Sequence, residues 1–222
     1  SMLLESADTR FPRVETLLVE STYGAKEDIQ PSREEVEGAF IKSVNEILKG
    51  GGKVLIPIPA VGRAQELMMV IDKYMKSGQL TESPVFMEGM IQEATAIHEA
   101  HPEYLERSLK QKILETDDNP FDSEYFTNIE HADSRDEPLR EDSPCIVIAT
   151  SGMLEGGPVL EYFRNFAPDK KNKILFVSYQ VNGTLGRRVM DGARQVTIMG
   201  QDGKVQVVTI NCGTEKLEGF SG

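Results

Sequence analysis

KVLIPIPAVGRAQELMMVIDKYMK, residues 53–76, decides the fold. Its opening segment, Lys53 to Ile58, is a short apolar run of the kind that forms a buried strand. From Ala64 to Lys76 the period changes, placing Leu67, Met68, Ile71, Tyr74 and Met75 on one helical face, and Gly78 stands just past the end. A strand, a short loop and an amphipathic helix make one βα unit, and the same alternation extends in both directions. Upstream, Ser32-Arg33-Glu34-Glu35 behind Pro31 is a capping box. It opens a stripe of Val36, Phe40, Val44, Ile47 and Leu48 that stops at Gly50-Gly51-Gly52. Downstream, strands are expected at Pro84 to Met87, Cys145 to Thr150 (CIVIAT) and Ile174 to Tyr179 (ILFVSY). One or two helices fit between Ile91 and Leu114, and another from Pro158 to Phe166 with proline in its first turn. The runs around Leu55, Ile146 and Leu175 are apolar throughout, as central strands covered on both faces must be. The expectation is an α/β layer fold with a mostly parallel sheet.

The two ends differ from this middle. Val14 to Glu20 (VETLLVE), closed by Ser21-Thr22-Tyr23-Gly24, reads as a buried strand leading into a loop. Gln195 to Ile210 (QVTIMGQDGKVQVVTI) is a hairpin around Gly200-Gln201-Asp202-Gly203 rather than a further βα unit. Asp117 to Ser143 is a polar stretch rich in Asp, Glu and Pro. No internal repeat or low-complexity tract is present.

A chain of 222 residues with 39% hydrophobic residues can bury a sizeable core. No apolar run reaches the roughly 20 residues of a membrane helix. No basic and apolar leader pattern is present at the N-terminus, and Ser1 ahead of Met2 reads as a remnant of tag removal. The expectation is a cytoplasmic chain with no membrane partner. Cys145 and Cys212 lie far apart in or beside apolar segments, which suits buried thiols better than a disulfide framework. The net charge of −12 argues against a surface built mainly to hold nucleic acid, so any phosphate-binding groups must be local.

Open α/β sheets bind ligands at the carboxyl ends of their strands, and three loops stand there. They are Pro59 to Glu66, containing Gly62 and Arg63; Ser151 to Gly157, containing Gly152; and Gln180 to Arg188, containing Gly183, Thr184, Gly186 and Arg187. Backbone N–H groups, small residues and arginines in such places suit phosphate. Glycine at a βα turn also serves backbone geometry alone. Glu20, at the end of its strand, could present a carboxylate at the same edge or simply be a cap. His98 and His101 have metal-compatible spacing without a second ligand pair, and with His131 they read as surface or structural residues. No Ser/His/Asp arrangement, GKS or GKT loop, or CxxC pair occurs.

The blocks Val19-Glu20-Ser21-Thr22-Tyr23-Gly24, Gly51 to Pro57, Gly62 to Leu67, Ala149 to Met153 and Gly183 to Arg187 together resemble the β-CASP ribonucleases of the metallo-β-lactamase superfamily. Within that family the chain resembles the archaeal homologues of the endonuclease subunit of the cleavage and polyadenylation specificity factor, which carry KH domains. The resemblance runs over almost the whole chain. It implies a metallo-β-lactamase domain that binds two zinc ions through a HxHxDH motif absent from this sequence, with the β-CASP domain as a lid over the cleft. It also implies that Glu20 is the acidic residue of the first β-CASP motif, paired with a histidine directly after the string corresponding to Gly219 to Gly222.

These implications give a Rossmann-like, doubly wound β-CASP domain at 24–199. The remnants of an αββα metallo-β-lactamase domain are assigned to 1–23 and to a return strand in 200–222. The parent is expected to be a zinc-dependent ribonuclease acting on single-stranded RNA in mRNA 3′-end processing. Glu20 would be catalytic, Arg63, Ser151, Gly152, Thr184 and Arg187 would contact phosphate, and the metallo-β-lactamase and KH domains of the same chain would be partners. This chain alone is expected to hold no zinc and to be inactive. A homodimer is left open. Two rivals remain: a free-standing domain binding a nucleotide or phosphorylated metabolite, and a protein-interaction domain using its acidic stretch.

Overall fold

The computed structural model describes residues 2–5, 7–19, 21, 24–26, 29, 31–116, 118–140, 143–200 and 203–220. Six parallel strands form the central sheet: β1 (Val54–Pro57), β2 (Val85–Glu88), β3 (Phe126–Ile129), β4 (Ile146–Ala149), β5 (Lys173–Phe176) and β8 (Gly213–Lys216), in the spatial order β3-β2-β4-β1-β5-β8. Strands β6 (Gln195–Met199) and β7 (Val205–Thr209) form the expected antiparallel hairpin, with Val196 opposite Val208. Every residue of β1, β2 and β4 is buried; β1 and β4 are accordingly apolar throughout, and β2 is apolar up to Glu88, whose buried carboxylate is ion-paired with Arg135.

Helices cover both faces. On one lie α1 (Arg33–Lys49), α2 (Arg63–Lys76), α3 (Ile91–Ala100) and α4 (Arg107–Glu115), packed on Val54, Ile56, Met87 and Ile148. On the other, α6 (Val159–Phe166), α7 (Leu185–Met190) and the hairpin pack on Leu55, Phe86, Val147 and Phe176. A four-residue helix, α5 (Asp136–Leu139), lies in the β3–β4 connection. The capping box at α1 forms in both directions. Ser32 Oγ accepts from Glu35 N–H, and the Glu35 carboxylate accepts from Ser32 N–H at 2.8 Å.

Three segments depart from the sequence reading. Residues 14–19 form no strand, and Leu18 is 94% exposed, because no described segment offers these residues a ladder partner or an apolar face. Glu20, at the end of that segment, lies outside the described residues. The polar stretch 117–143 contains β3, an edge strand whose central residues Thr127 and Asn128 face solvent and therefore carry no apolar signature. The last strand, β8 (GTEK), is equally polar and pairs with β5 at the opposite edge. The 199/200 boundary falls inside the hairpin, and residues 213–216 belong to the main sheet. Both ends of the chain join the first face. Leu3 is buried there, and Phe220 meets the Phe40 ring edge-on at 5.7 Å, with the Arg33 guanidinium 5.6 Å from the Phe220 centroid.

Helices α2 and α4 are tied together by Asp118, which accepts from Lys76 Nζ at 2.7 Å and Lys112 Nζ at 2.9 Å. The Lys112 ammonium, and then that of Lys76, hold its carboxyl down to about 2. A depressed folded value gives stability that is present above the unfolded value near 3.8 and is lost as pH falls toward 2. The group is half exposed, so the effect is screened and small. Thermal unfolding of Asp118→Asn and wild type should therefore differ above about pH 4 and converge near pH 2. Curves that stay parallel throughout would remove Asp118 from the acid response. Both cysteines are free and buried, and burial pushes each thiol up to about 12.

Candidate nucleic-acid-facing site at the carboxyl edge

Strands β1 and β4 are neighbours, yet their crossovers leave in opposite directions. Strand β1 continues through α2 on one face, and β4 continues through α6 on the other. Such a reversal opens a crevice at the carboxyl ends of the two strands. The loops after β1, β4 and β5 meet there. Gly152 is where the first two touch, since a Cβ at this position would stand 2.8 Å from Pro59 Cδ and 3.0 Å from Pro59 N. Gly89, just past β2 at φ +98°, brings its backbone against Thr150, where a Cβ would fall 2.0 Å from Thr150 Oγ1. Only glycine satisfies both the left-handed conformation and this close approach.

The loop after β4 is closed by its own polar groups. Ser151 N–H donates to Gly156 O at 3.2 Å, and Glu155 N–H donates to Ser151 Oγ at 3.1 Å. It is then locked to the loop after β5 in three places. Gln180 Nε2 donates to Gly152 O at 2.9 Å, Gly186 N–H donates to Met153 O at 2.8 Å, and Leu185 N–H donates to the Glu155 carboxylate. Thr184 caps α7, its hydroxyl accepting from Arg187 N–H at 3.2 Å and donating to Val181 O at 2.7 Å. On the β1 side, Gln65 Oε1 accepts from Gly62 N–H at 2.7 Å while its Nε2 donates to Thr95 Oγ1 at 2.9 Å, fixing the turn into α2.

Of the residues singled out from the sequence, Arg63, Ser151, Gly152, Thr184 and Arg187 follow the carboxyl ends of β1, β4 and β5, with different degrees of freedom, and Glu20 lies outside the described residues. Ser151, Gly152 and Thr184 lie in the interlocked loops. Arg63 is ion-paired with Glu66 at 2.5 Å, and Arg187 with Asp191 at 2.9 Å, so both guanidinium groups are held by carboxylates one helical turn away. The neighbouring Arg188 is exposed and has no ion-pair partner among the described residues. Gln180, Glu155 and a buried triad behind the edge went unread in the sequence. In that triad Arg135 grips both oxygens of Glu88 through Nε, at 3.0 and 2.9 Å, and Tyr162 Oη donates to Glu88 Oε2 at 2.6 Å. Burial, then the Glu88 carboxylate, pushes the Tyr162 phenol above its ordinary range. Among the described residues no three His, Cys, Asp or Glu side chains stand together as a metal site requires.

A Beta-Casp domain model matches residues 64–189, which take in Ser151, Gly152, Thr184 and Arg187. The chain is 77% identical over 222 residues to the transcription termination factor FttA of Cenarchaeum symbiosum, covering 100% of this chain and 34% of that protein. It is 50% identical over 220 residues to the factor of the same name from Pyrococcus abyssi, covering 99% and 34%. With that of Methanocaldococcus jannaschii it shares 50% over 222 residues, covering 100% and 35%. The chain therefore spans about a third of the length of the curated relatives it matches.

Proposed function

Because the chain belongs to the Beta-Casp domain family, we propose that it is the RNA-facing wall of a metal-dependent phosphodiester hydrolase that acts in RNA 3′-end formation and transcription termination. The observation that carries this reading is the convergence of three small-residue loops at the β1/β4 reversal, interlocked by Gln180 and Glu155. The Ser151 hydroxyl, which accepts from Glu155 N–H and keeps its own proton to give, suits a phosphate oxygen of a single strand, and the Thr184 hydroxyl would exchange Val181 O for another. Arg63 and Arg187 would exchange Glu66 and Asp191 for phosphate oxygens. The described donor set does not fit zinc, so the two zinc ions are assigned to residues elsewhere in the intact protein. In that assignment the metallo-β-lactamase and KH domains are partners in the same chain, in the cytoplasm. Binding by this chain alone is expected to be weak and salt-sensitive, since its net charge is −12.

Gly152→Ala tests the reading on the intact protein. The added methyl meets backbone and proline ring in the loop after β1, so the two loops must part. A displacement of about 1 Å at a positioning element costs up to about 100-fold in rate. Cleavage of single-stranded RNA is expected to fall by about that factor at a temperature where the variant is still folded, with stability lowered by about 1–3 kcal/mol from overpacking. Cleavage at the wild-type rate would separate this edge from RNA handling.

A further inference from the structure

Tyr179 is the one aromatic side chain on the loop after β5, and it is 45% exposed between two anchored residues. On one side Ser178 O accepts from Gln180 Nε2 at 3.2 Å. On the other, Gln180 itself is 1% exposed and uses the same amide to hold Gly152 O at 2.9 Å. The backbone under Tyr179 is thereby fixed to the Ser151–Gly157 loop, and the ring projects from a rigid base. Tyr104, also exposed, rests against His101 at 6.5 Å between centroids. Tyr179 has no ring contact, and its hydroxyl no partner, among the described residues. Val61, Met90 and Val181, on the loops after β1, β2 and β5, are exposed at the same carboxyl edge. An exposed ring on fixed backbone, beside polar small-residue loops and with apolar neighbours, has the make-up of a surface that receives a flat apolar face next to a charged backbone.

We propose that Tyr179 is a stacking platform for one nucleobase of single-stranded RNA, preset by Gln180, with the adjoining phosphates running over the Ser151–Gly157 loop. The assignment rests on the RNA-facing reading of the edge. Stacking is sequence-tolerant because every base has a π-face, and removing the ring costs roughly 5- to 100-fold in affinity. It leaves the salt dependence unchanged, because no phosphate contact is lost.

The test measures binding of a nuclease-resistant oligouridylate to the intact protein as wild type, Tyr179→Ala, Tyr179→Leu and Tyr179→Phe, over a range of salt concentrations. Tyr179→Phe should bind as wild type. The alanine and leucine variants should both lose affinity, with the slope of log K against log salt preserved and melting temperatures unchanged. A series of oligonucleotides carrying one abasic residue adds a second readout. At one position the lesion should weaken wild type and leave Tyr179→Ala no weaker than before. Wild type that binds while Tyr179→Ala binds equally well overturns the platform alone. Equal loss in Tyr179→Phe would assign the effect to the hydroxyl and also overturn it. Wild type that does not bind single-stranded RNA overturns both the platform and the reading on which it rests.

Discussion

Glu88→Ala is expected to lower the unfolding free energy by about 3–5 kcal/mol, the cost of breaking a buried ion pair from one side. The Arg135 and Glu88 side chains are 15% and 9% exposed, and Tyr162 is fully buried. Without the carboxylate, the guanidinium keeps its charge with little water to receive it, and the phenol loses its acceptor. The loss also reaches the carboxyl edge, because Thr150 N–H donates to Glu88 O and Gly89 packs on Thr150. Urea unfolding of Glu88→Ala against wild type measures the cost, and Glu88→Leu combined with Arg135→Met should recover much of it, since an apolar replacement of the whole pair leaves no orphaned charge. A cost below about 1 kcal/mol for the single variant would place the pair among exposed, screened interactions.

The largest effect on rate is expected at Glu20, which lies outside the described residues. The family resemblance pairs its carboxylate with a histidine beyond the Gly219–Gly222 string. A carboxylate on one imidazole nitrogen fixes the tautomer and favours the protonated ring that can deliver a proton to a leaving oxygen. Glu20→Gln keeps size and one acceptor while removing the charge. In the intact protein RNA cleavage should fall by about 10²–10⁴-fold, the usual worth of general acid catalysis. Metal content on the same preparation should be unchanged, because Glu20 is not assigned as a ligand. A near-normal rate would remove Glu20 from the reaction, and lost metal would make it a structural support of the metal site.

The middle of the fold was legible because its strands are buried on both faces. KVLIPI, CIVIAT and ILFVSY carry no polar alternation that could be confused with a loop or a surface helix, and all three became central strands. The edges were not legible for the complementary reason. FTNI and GTEK each have one neighbouring strand and face water, so composition alone could not distinguish them from the loops around them. VETLLVE fails in the opposite sense. Its apolar residues report a need for burial, but a local pattern cannot name the surface that meets it. In the site, the loops announced themselves through clustered glycines. The contacts that lock them, Gln180 to Gly152 and Glu155 to Leu185, join residues about 30 positions apart and follow from the packing of two loops rather than from either one. The partners of Arg63 and Arg187 were readable, since Glu66 and Asp191 stand at i+3 and i+4 on the same helices.

The strand order has a consequence for how this chain reaches its native state. Strands β1 and β2 are consecutive in sequence, but β4 lies between them and pairs with both. As the chain leaves the ribosome, β1 has no hydrogen-bonding neighbour until residue 146 emerges, and only the face that α1 to α4 cover has a partner before then. Contacts of such long sequence separation close slowly. The sheet is therefore expected to assemble cooperatively once β4 is available, and until then Val54–Pro57 and Val85–Glu88 are strands with an unpaired edge open to other chains.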